Sequence, residues 1–261
     1  MNKYNIKDSV IIVTGAAGQL GQALVNSLID SKAYVVCFDT SLINLNKAAK
    51  KNSWSTEVIL FELDITNQEA IMKAFRKVIA KFGKIDAVVN NAGISVFDSW
   101  DNRSEEDFDS VLNVNIKGTF FCMREFFKYL IVSKTKGSVV NIASHYGIIS
   151  PDPRIYTDCS RRNSEVYGAS KAGVIQMTKY FSVNAIADGA NVRVNAIAPG
   201  GILNDNEPQG DDFQAQYANR CPMKRMGNVR EMVGPVLFLL SPDSSYINGQ
   251  TLVVDGGMTA W

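Results

Sequence analysis

The sequence predicts an α/β fold in one domain over residues 1–261: a doubly wound, seven-stranded parallel sheet with helices on both faces. Three observations carry that expectation. Short apolar runs alternate with helical patterns along the whole chain, the rhythm of successive βαβ units. A glycine-spaced turn joins the first run to the first helical pattern, and an acid closes the second run. No internal repeat, low-complexity tract or linker divides the 261 residues, a length that suits one larger α/β domain.

In order, the apolar runs place strands at 9–14, 34–38, 57–61, 85–89, 138–142, 191–197 and 251–254. Helical patterns cover about 18–31, 43–51, 67–82, 105–131, 165–187 and 229–240. Right-handed crossovers put a ligand outside the carboxyl ends of the strands, where the winding reverses. After the first strand come Gly15, Gly18 and Gly21 in G-x-x-G-x-x-G spacing. Glycine there serves the tight turn, the approach of backbone to a pyrophosphate, and helix-on-strand packing, while the helix N-terminus offers N–H groups to the phosphates. The strand, glycine turn, helix, strand and acid together are the context that this dinucleotide motif requires.

Asp39 ends the second strand, where a carboxylate accepts from both ribose hydroxyls and repels a 2′-phosphate. No Lys or Arg sits in the turn (Ala16, Ala17) or just after the acid (Thr40, Ser41), so the expected cofactor is NAD rather than NADP. The other reading of Asp39 is a cap on the next helix. Asp64 follows the third strand in reach of the adenine edge. Asn90-Asn91-Ala92-Gly93 follows the fourth, where small residues let the backbone pass close to a cofactor. Pro199-Gly200 follows the sixth as a rigid turn near the nicotinamide.

Tyr167 and Lys171 lie four residues apart in a helical pattern, on one face. Tyrosine has a reference pKa of about 10, and bringing it near 7 takes roughly 4 kcal/mol, which a neighbouring ammonium in a water-poor cleft could largely supply. Tyr167 could then accept a proton from an alcohol, or donate one to a ketone. Ser144 ends the fifth strand and can hydrogen-bond the substrate oxygen. Asn115, polar among Val111, Val114 and Phe120, suggests a buried hydrogen-bonding role and could hold a water beside Lys171.

Composition excludes several classes. Formal net charge is +1 with interspersed signs, so no basic face for nucleic acid is implied. Four cysteines (Cys37, Cys122, Cys159, Cys221) lack C-x-x-C spacing, which suits a reducing compartment. His145 is the only histidine, which excludes a His-rich metal site. MNKYNIKDS has no apolar leader core and no run reaches membrane-spanning length, so cytoplasmic residence without a membrane is the expectation.

With these residues in hand, the chain resembles the short-chain dehydrogenase/reductase family, in its single-domain branch, from about Val10 to Gly257. The resemblance implies a Rossmann-like fold. It implies cofactor contacts from TGAAGQLG (Thr14, Gly15, Gly18, Gln19, Leu20, Gly21), from Asp39, Asp64 and Ile65, and from Asn91, Ala92 and Gly93. Pro199, Gly200 and Ile202 would meet the nicotinamide carboxamide. Asn115, Ser144, Tyr167 and Lys171 resemble the catalytic tetrad: Tyr as acid/base, Lys lowering its pKa and holding the nicotinamide ribose, Ser positioning substrate, Asn anchoring a relay water.

Three features depart from that branch. Gln19 stands where glycine is usual, Asn204 replaces a threonine after Pro-Gly, and Ser144 and Tyr167 are 23 positions apart. The enlarged loop, about 145–166, resembles that of nucleotide-sugar epimerases and dehydratases. It holds Tyr146 and Arg154, expected at the substrate, together with Arg161 and Arg162; solvated surface charge is the other reading of the arginines. A polar segment after the sixth strand, within about 201–225, is expected as a lid. Phe120, Phe121, Phe126 and Phe127, with Val174, Ile175, Met177 and Phe181, read as helix faces covering the sheet. The resemblance implies a homodimer or homotetramer through those helices.

The function expected is NAD-dependent interconversion of a secondary alcohol and a ketone, on a polar, sugar-like small molecule. The alternatives are an epimerase or dehydratase that retains NAD, an NADPH-dependent 3-oxoacyl reductase, and a non-catalytic dinucleotide sensor.

Overall fold

The computed structural model describes residues 4–55, 57–157 and 162–261. Seven strands form one parallel sheet: β1 (Val10–Thr14), β2 (Tyr34–Asp39), β3 (Ile59–Glu62), β4 (Ala87–Asn90), β5 (Lys136–Ile142), β6 (Asn191–Pro199) and β7 (Thr251–Val254). Their spatial order is β3-β2-β1-β4-β5-β6-β7. The chain winds outward from β1 to β3, crosses back to place β4 beside β1, and winds the other way. That reversal opens a crevice at the carboxyl ends of β1 and β4.

The strands pair in register, Ile12 with Val88 and Asn90 with Asn141. Alternation along a strand feeds two cores. Val10 and Ile12 face a layer built on α3 (Gln68–Phe82) and α5 (Thr119–Ser133). Ile11 and Val13 face a layer built on α1 (Gln19–Asp30), α2 (Leu42–Lys51) and α8 (Val229–Leu240). Both faces are covered, so the strands read as near-continuous apolar runs. Among the described residues, no helix is long and apolar enough to cross a membrane.

One expectation is corrected. The single helix expected at 105–131 is three pieces: α4 (Glu105–Leu112), a π-helical stretch (Asn113–Gly118) and α5. Sequence patterning also left out a helix within the polar segment after β6, α7 (Asp211–Arg220). The remaining long helix is α6 (Glu165–Ala187), and it carries Tyr167 and Lys171.

Candidate active site

The turn after β1 is built for close approach. Gly15 has φ +63°, which L side chains rarely adopt, and an added Cβ would lie 2.8 Å from the Ala92 Cα. A Cβ on Gly21 would lie 2.2 Å from the Gly15 carbonyl oxygen, so α1 rests directly on the turn. Gly18 differs: its φ is −70°, and its Cβ would meet only Gly15 O at 3.4 Å. Nothing among the described residues forbids a side chain there, which leaves its bareness as room for a ligand. Gly18 caps α1 without a side-chain hydrogen bond, whereas α2, α3, α4, α6 and α8 are capped by Ser41, Asn67, Ser104, Ser164 and Asn228. The uncapped N–H groups and dipole of α1 suit an anion.

Thr14 is fully buried and lines neither cavity described below. Its hydroxyl accepts from the N–H groups of Asn91 (3.0 Å) and Ala92 (2.9 Å) and so fastens β4 to the turn. Asp39 does not cap α2, a role that Ser41 fills. Its carboxylate accepts from Ala17 N–H at 3.0 Å and Ser41 N–H at 3.3 Å. A cleft of about 520 Å³ runs over this turn. Gly15, Gly18, Gln19, Leu20 and Gly21 form one wall, Asp39, Asp64 and Ile65 the far end, and Asn91, Ala92 and Gly93 the floor. No Lys or Arg is among the described lining residues. The bare glycine, uncapped helix and ribose-type carboxylate fit a dinucleotide.

A second cavity, about 360 Å³, continues from the first and shares Leu20, Asn91, Gly93 and Ile94 with it. Ser144, Tyr146, Tyr167 and Lys171 line it, with Pro199, Gly200 and Ile202 along its edge. Lys171 is buried and donates to the Ile142 carbonyl at 2.7 Å; its Nζ lies 5.6 Å from the Tyr167 ring centre. Burial lowers the Lys171 pKa to about 8. Burial raises the Tyr167 phenol above its ordinary value, opposed by a hydrogen bond with Ser144. In the chain itself desolvation of the phenol dominates, and Ser144 is the group that opposes it.

Asn115 lines neither cavity. It sits in the π-helical stretch, a distortion that turns it inward. Its Oδ1 accepts from Ile94 N–H at 2.9 Å, and its Nδ2 donates to Ile94 O at 3.0 Å and Ser170 Oγ at 2.9 Å. Ser170 in turn donates to Tyr167 O at 2.7 Å. A Cβ on Gly93 would lie 3.2 Å from Lys171 Nζ and 3.3 Å from Asn115 Oδ1, so the two polar groups converge beside that glycine.

Arg154 is not brought to this cavity. It is exposed, pairs with Asp152 at 2.8 Å, and lines a separate cavity of about 320 Å³ with Arg220. Arg162 is exposed, and Arg161 and Cys159 lie outside the described residues. Sequence reasoning missed Ser95, Asn163 and an aromatic wall of Tyr156, Phe213 and Tyr217, all of which line the cavity. Phe213 and Tyr217, one helical turn apart behind the acids Asp211 and Asp212, were the available signal for α7. His145 is buried and bonds the Pro199 carbonyl through Nδ1 at 2.9 Å, which ties the Ser144 segment to the end of β6. A carbonyl only accepts, so Nδ1 carries the proton. Burial lowers the pKa of this ring.

A doubly wound sheet with a dinucleotide-type cleft leading to Ser, Tyr and Lys defines a class of nucleotide-dependent oxidoreductase folds, and the comparisons narrow it. A sequence model described as enoyl-(acyl carrier protein) reductase matches residues 15–259. The chain is 36% identical over 255 residues to the 3-oxoacyl-[acyl-carrier-protein] reductase FabG of Thermotoga maritima, covering 97% of this chain and 98% of that protein. It is 30% identical over 258 residues to an NAD-dependent glycerol dehydrogenase of Listeria innocua, covering 98% and 96%. A solved short-chain dehydrogenase of Leptospira borgpetersenii, with bound NAD+, superposes with a TM-score of 0.87 at 35% identity, covering 99% of this chain and 95% of that one. The chain belongs to the short-chain dehydrogenase/reductase family.

Proposed function

We propose that the chain is an NAD(H)-dependent oxidoreductase that interconverts a secondary alcohol and a ketone, with Tyr167 as acid/base. The observation that carries this is the meeting of Ser144, Tyr167 and Lys171 in a cavity continuous with the Asp39 cleft. When bound, the nicotinamide supplies the hydride acceptor or donor. The turn and the start of α1 would hold the pyrophosphate, Asp39 the ribose hydroxyls, and Asp64 and Ile65 the adenine. Asn91 to Gly93 would pass beneath the cofactor, Lys171 would hold the nicotinamide ribose, and Pro199, Gly200 and Ile202 would meet the carboxamide.

Tyr167 takes the alcohol's proton at its phenol oxygen and returns one to the ketone oxygen in reverse. Ser144 holds the substrate oxygen and stabilises the phenolate. Lys171, itself buried, sets a positive charge beside the ring. Asn115 positions: it clamps the Ile94 backbone to α6 through Ser170.

NAD is favoured over NADP by the Asp39 carboxylate and by the lack of a cation among the described residues of its cleft. The relatives named NAD-dependent or solved with NAD+ support the same choice. A polar substrate is favoured by the hydroxyl and amide groups in the wall. The whole chain acts as one domain, with a substrate loop at about 145–166 and a lid at about 201–225. A nicotinamide-coupled screen of polyols and sugars tests the reading with NAD and NADP side by side. The expected result is turnover with NAD at least tenfold more efficient, a preference that Asp39→Ser erodes by about ten- to a hundredfold, as befits a lost charge-assisted contact. Turnover with NADP alone contradicts the NAD assignment.

A further inference from the structure

Asn163 stands in the wall of the cavity, immediately before Ser164, the cap of α6. Its Oδ1 accepts from Ser164 N–H at 3.1 Å and from the Ser95 hydroxyl at 3.0 Å. A backbone N–H can only donate, so the side-chain oxygen must face Ser164, and the amide's orientation is fixed by chemistry. The Nδ2 group then faces the other way, and neither of its hydrogens has an acceptor among the described residues. Two elements hold the group in place. Ser95 follows β4, while Ser164 Oγ accepts from Tyr167 N–H at 3.3 Å, which sets Asn163 at a constant spacing from the reacting phenol.

Among the described residues of the surrounding wall, Lys171 is the one that carries a charge at neutral pH. Tyr146 and Tyr156 present hydroxyls 3.4 Å apart, and the Tyr156 ring packs on Phe213 at 5.3 Å. No Asp, Glu or Arg is among the described residues that line the cavity, and Lys171 gives one of its three hydrogens to the Ile142 carbonyl. Arg154 and Arg220 are engaged with Asp152 elsewhere. A carboxylate or phosphate brought beside the phenol would find no guanidinium among those residues to offset the water it loses. A hydroxyl would find an oriented amide donor.

We propose that Asn163 is a specificity-determining residue that donates to a second oxygen of the substrate, whose reacting end is an uncharged, hydroxyl-bearing group. The inference rests on the oxidoreductase reading given above. Three probes share one CH3–CH(OH) centre and differ in the neighbouring group: butane-2,3-diol, butan-2-ol and 3-hydroxybutanoate. Their kcat/KM values with NAD are measured on the wild type, Asn163→Ala and Asn163→Asp. Binding of the diol and of butan-2-ol to the NADH-loaded protein is measured by calorimetry.

The wild type is expected to favour the diol over butan-2-ol by about ten- to a hundredfold, in kcat/KM and in affinity, and to turn over 3-hydroxybutanoate worst. Asn163→Ala brings the diol-to-butan-2-ol ratio near one. Asn163→Asp keeps the acceptor for Ser164 and Ser95 but cannot donate to the substrate, so the preference falls, by less than in the alanine variant because its carboxylate can still accept from the diol hydroxyl; this guards against a fold defect in the alanine variant. A ratio unchanged in both variants, an equal fall for diol and butan-2-ol, or a preference for 3-hydroxybutanoate overturns the proposal. If NAD binds and other alcohols are oxidised but the diol is not, this inference alone fails. If no alcohol is oxidised, the oxidoreductase reading fails and takes this inference with it.

Discussion

Lys171 shows what a reactive site costs the fold. Its ammonium is buried, and its pKa falls from 10.5 to about 8. Between those values the unfolded chain binds the proton more readily than the folded one, so stability rises with pH through that window. Below about pH 8 the penalty is fully present, at roughly 3 kcal/mol. Lys171→Met should therefore stabilise the protein by about 2 kcal/mol at pH 7, since the lost hydrogen bond to Ile142 returns about 1. The gain should shrink as pH climbs from about 8 towards 10.5. Urea denaturation across that range reads it; a destabilised variant at pH 7 contradicts it. The Tyr167 phenol is raised, so alcohol oxidation, which needs the phenolate, should gain rate towards alkaline pH, while ketone reduction should not. Opposite slopes in the two directions are the check, and parallel slopes contradict the assignment.

Elements matter here through how tightly they rest on one another. α1 sits so close to its turn that Gly21→Ala would drive a Cβ within 2.2 Å of the Gly15 carbonyl. That variant should lose at least tenfold in NAD affinity and about 1–3 kcal/mol in stability, an overpacking cost. Fluorescence titration with NADH and thermal melting measure both, and wild-type values for both contradict the reading. α7 and the enlarged loop are likewise joined: Thr157 bonds Asp212, Asp152 pairs with Arg220 at 3.3 Å, and Tyr156 packs on Phe213.

Much of this was legible in the sequence because parallel strands covered on both faces leave unbroken apolar runs, such as Val10–Val13 and Ala87–Val89, that point at their own carboxyl ends. The turn glycines, Asp39 and Ser144 follow from those ends, and Tyr167 and Lys171 from their four-residue spacing on α6. α7 was hidden because a surface helix with only Tyr217 buried has too few apolar positions to show a period. The π-helical stretch was hidden because one widened turn scarcely shifts the spacing of Val111, Val114 and Gly118. Arg154 was misplaced because charge says nothing of partner: Asp152, two residues earlier, claims it.

At the scale of the whole molecule, apolar surface remains uncovered. β7 is an edge strand with Leu252 and Val253 exposed, and α6 exposes Tyr180, Val183 and Ile186 beside the Phe120–Phe181 ring pair. Edges and faces of this kind are normally covered. A homodimer or homotetramer is therefore proposed, and native mass spectrometry at micromolar concentration should show it; monomer alone contradicts it. Fold and clefts converge on one phenol. The most direct test compares wild type with Tyr167→Phe in the nicotinamide-coupled assay, with NADH binding followed in parallel. The account predicts that turnover falls by at least a hundredfold while NADH affinity changes by less than about threefold, the signature of a lost acid/base. A variant that turns over at the wild-type rate, with NADH bound, would contradict it.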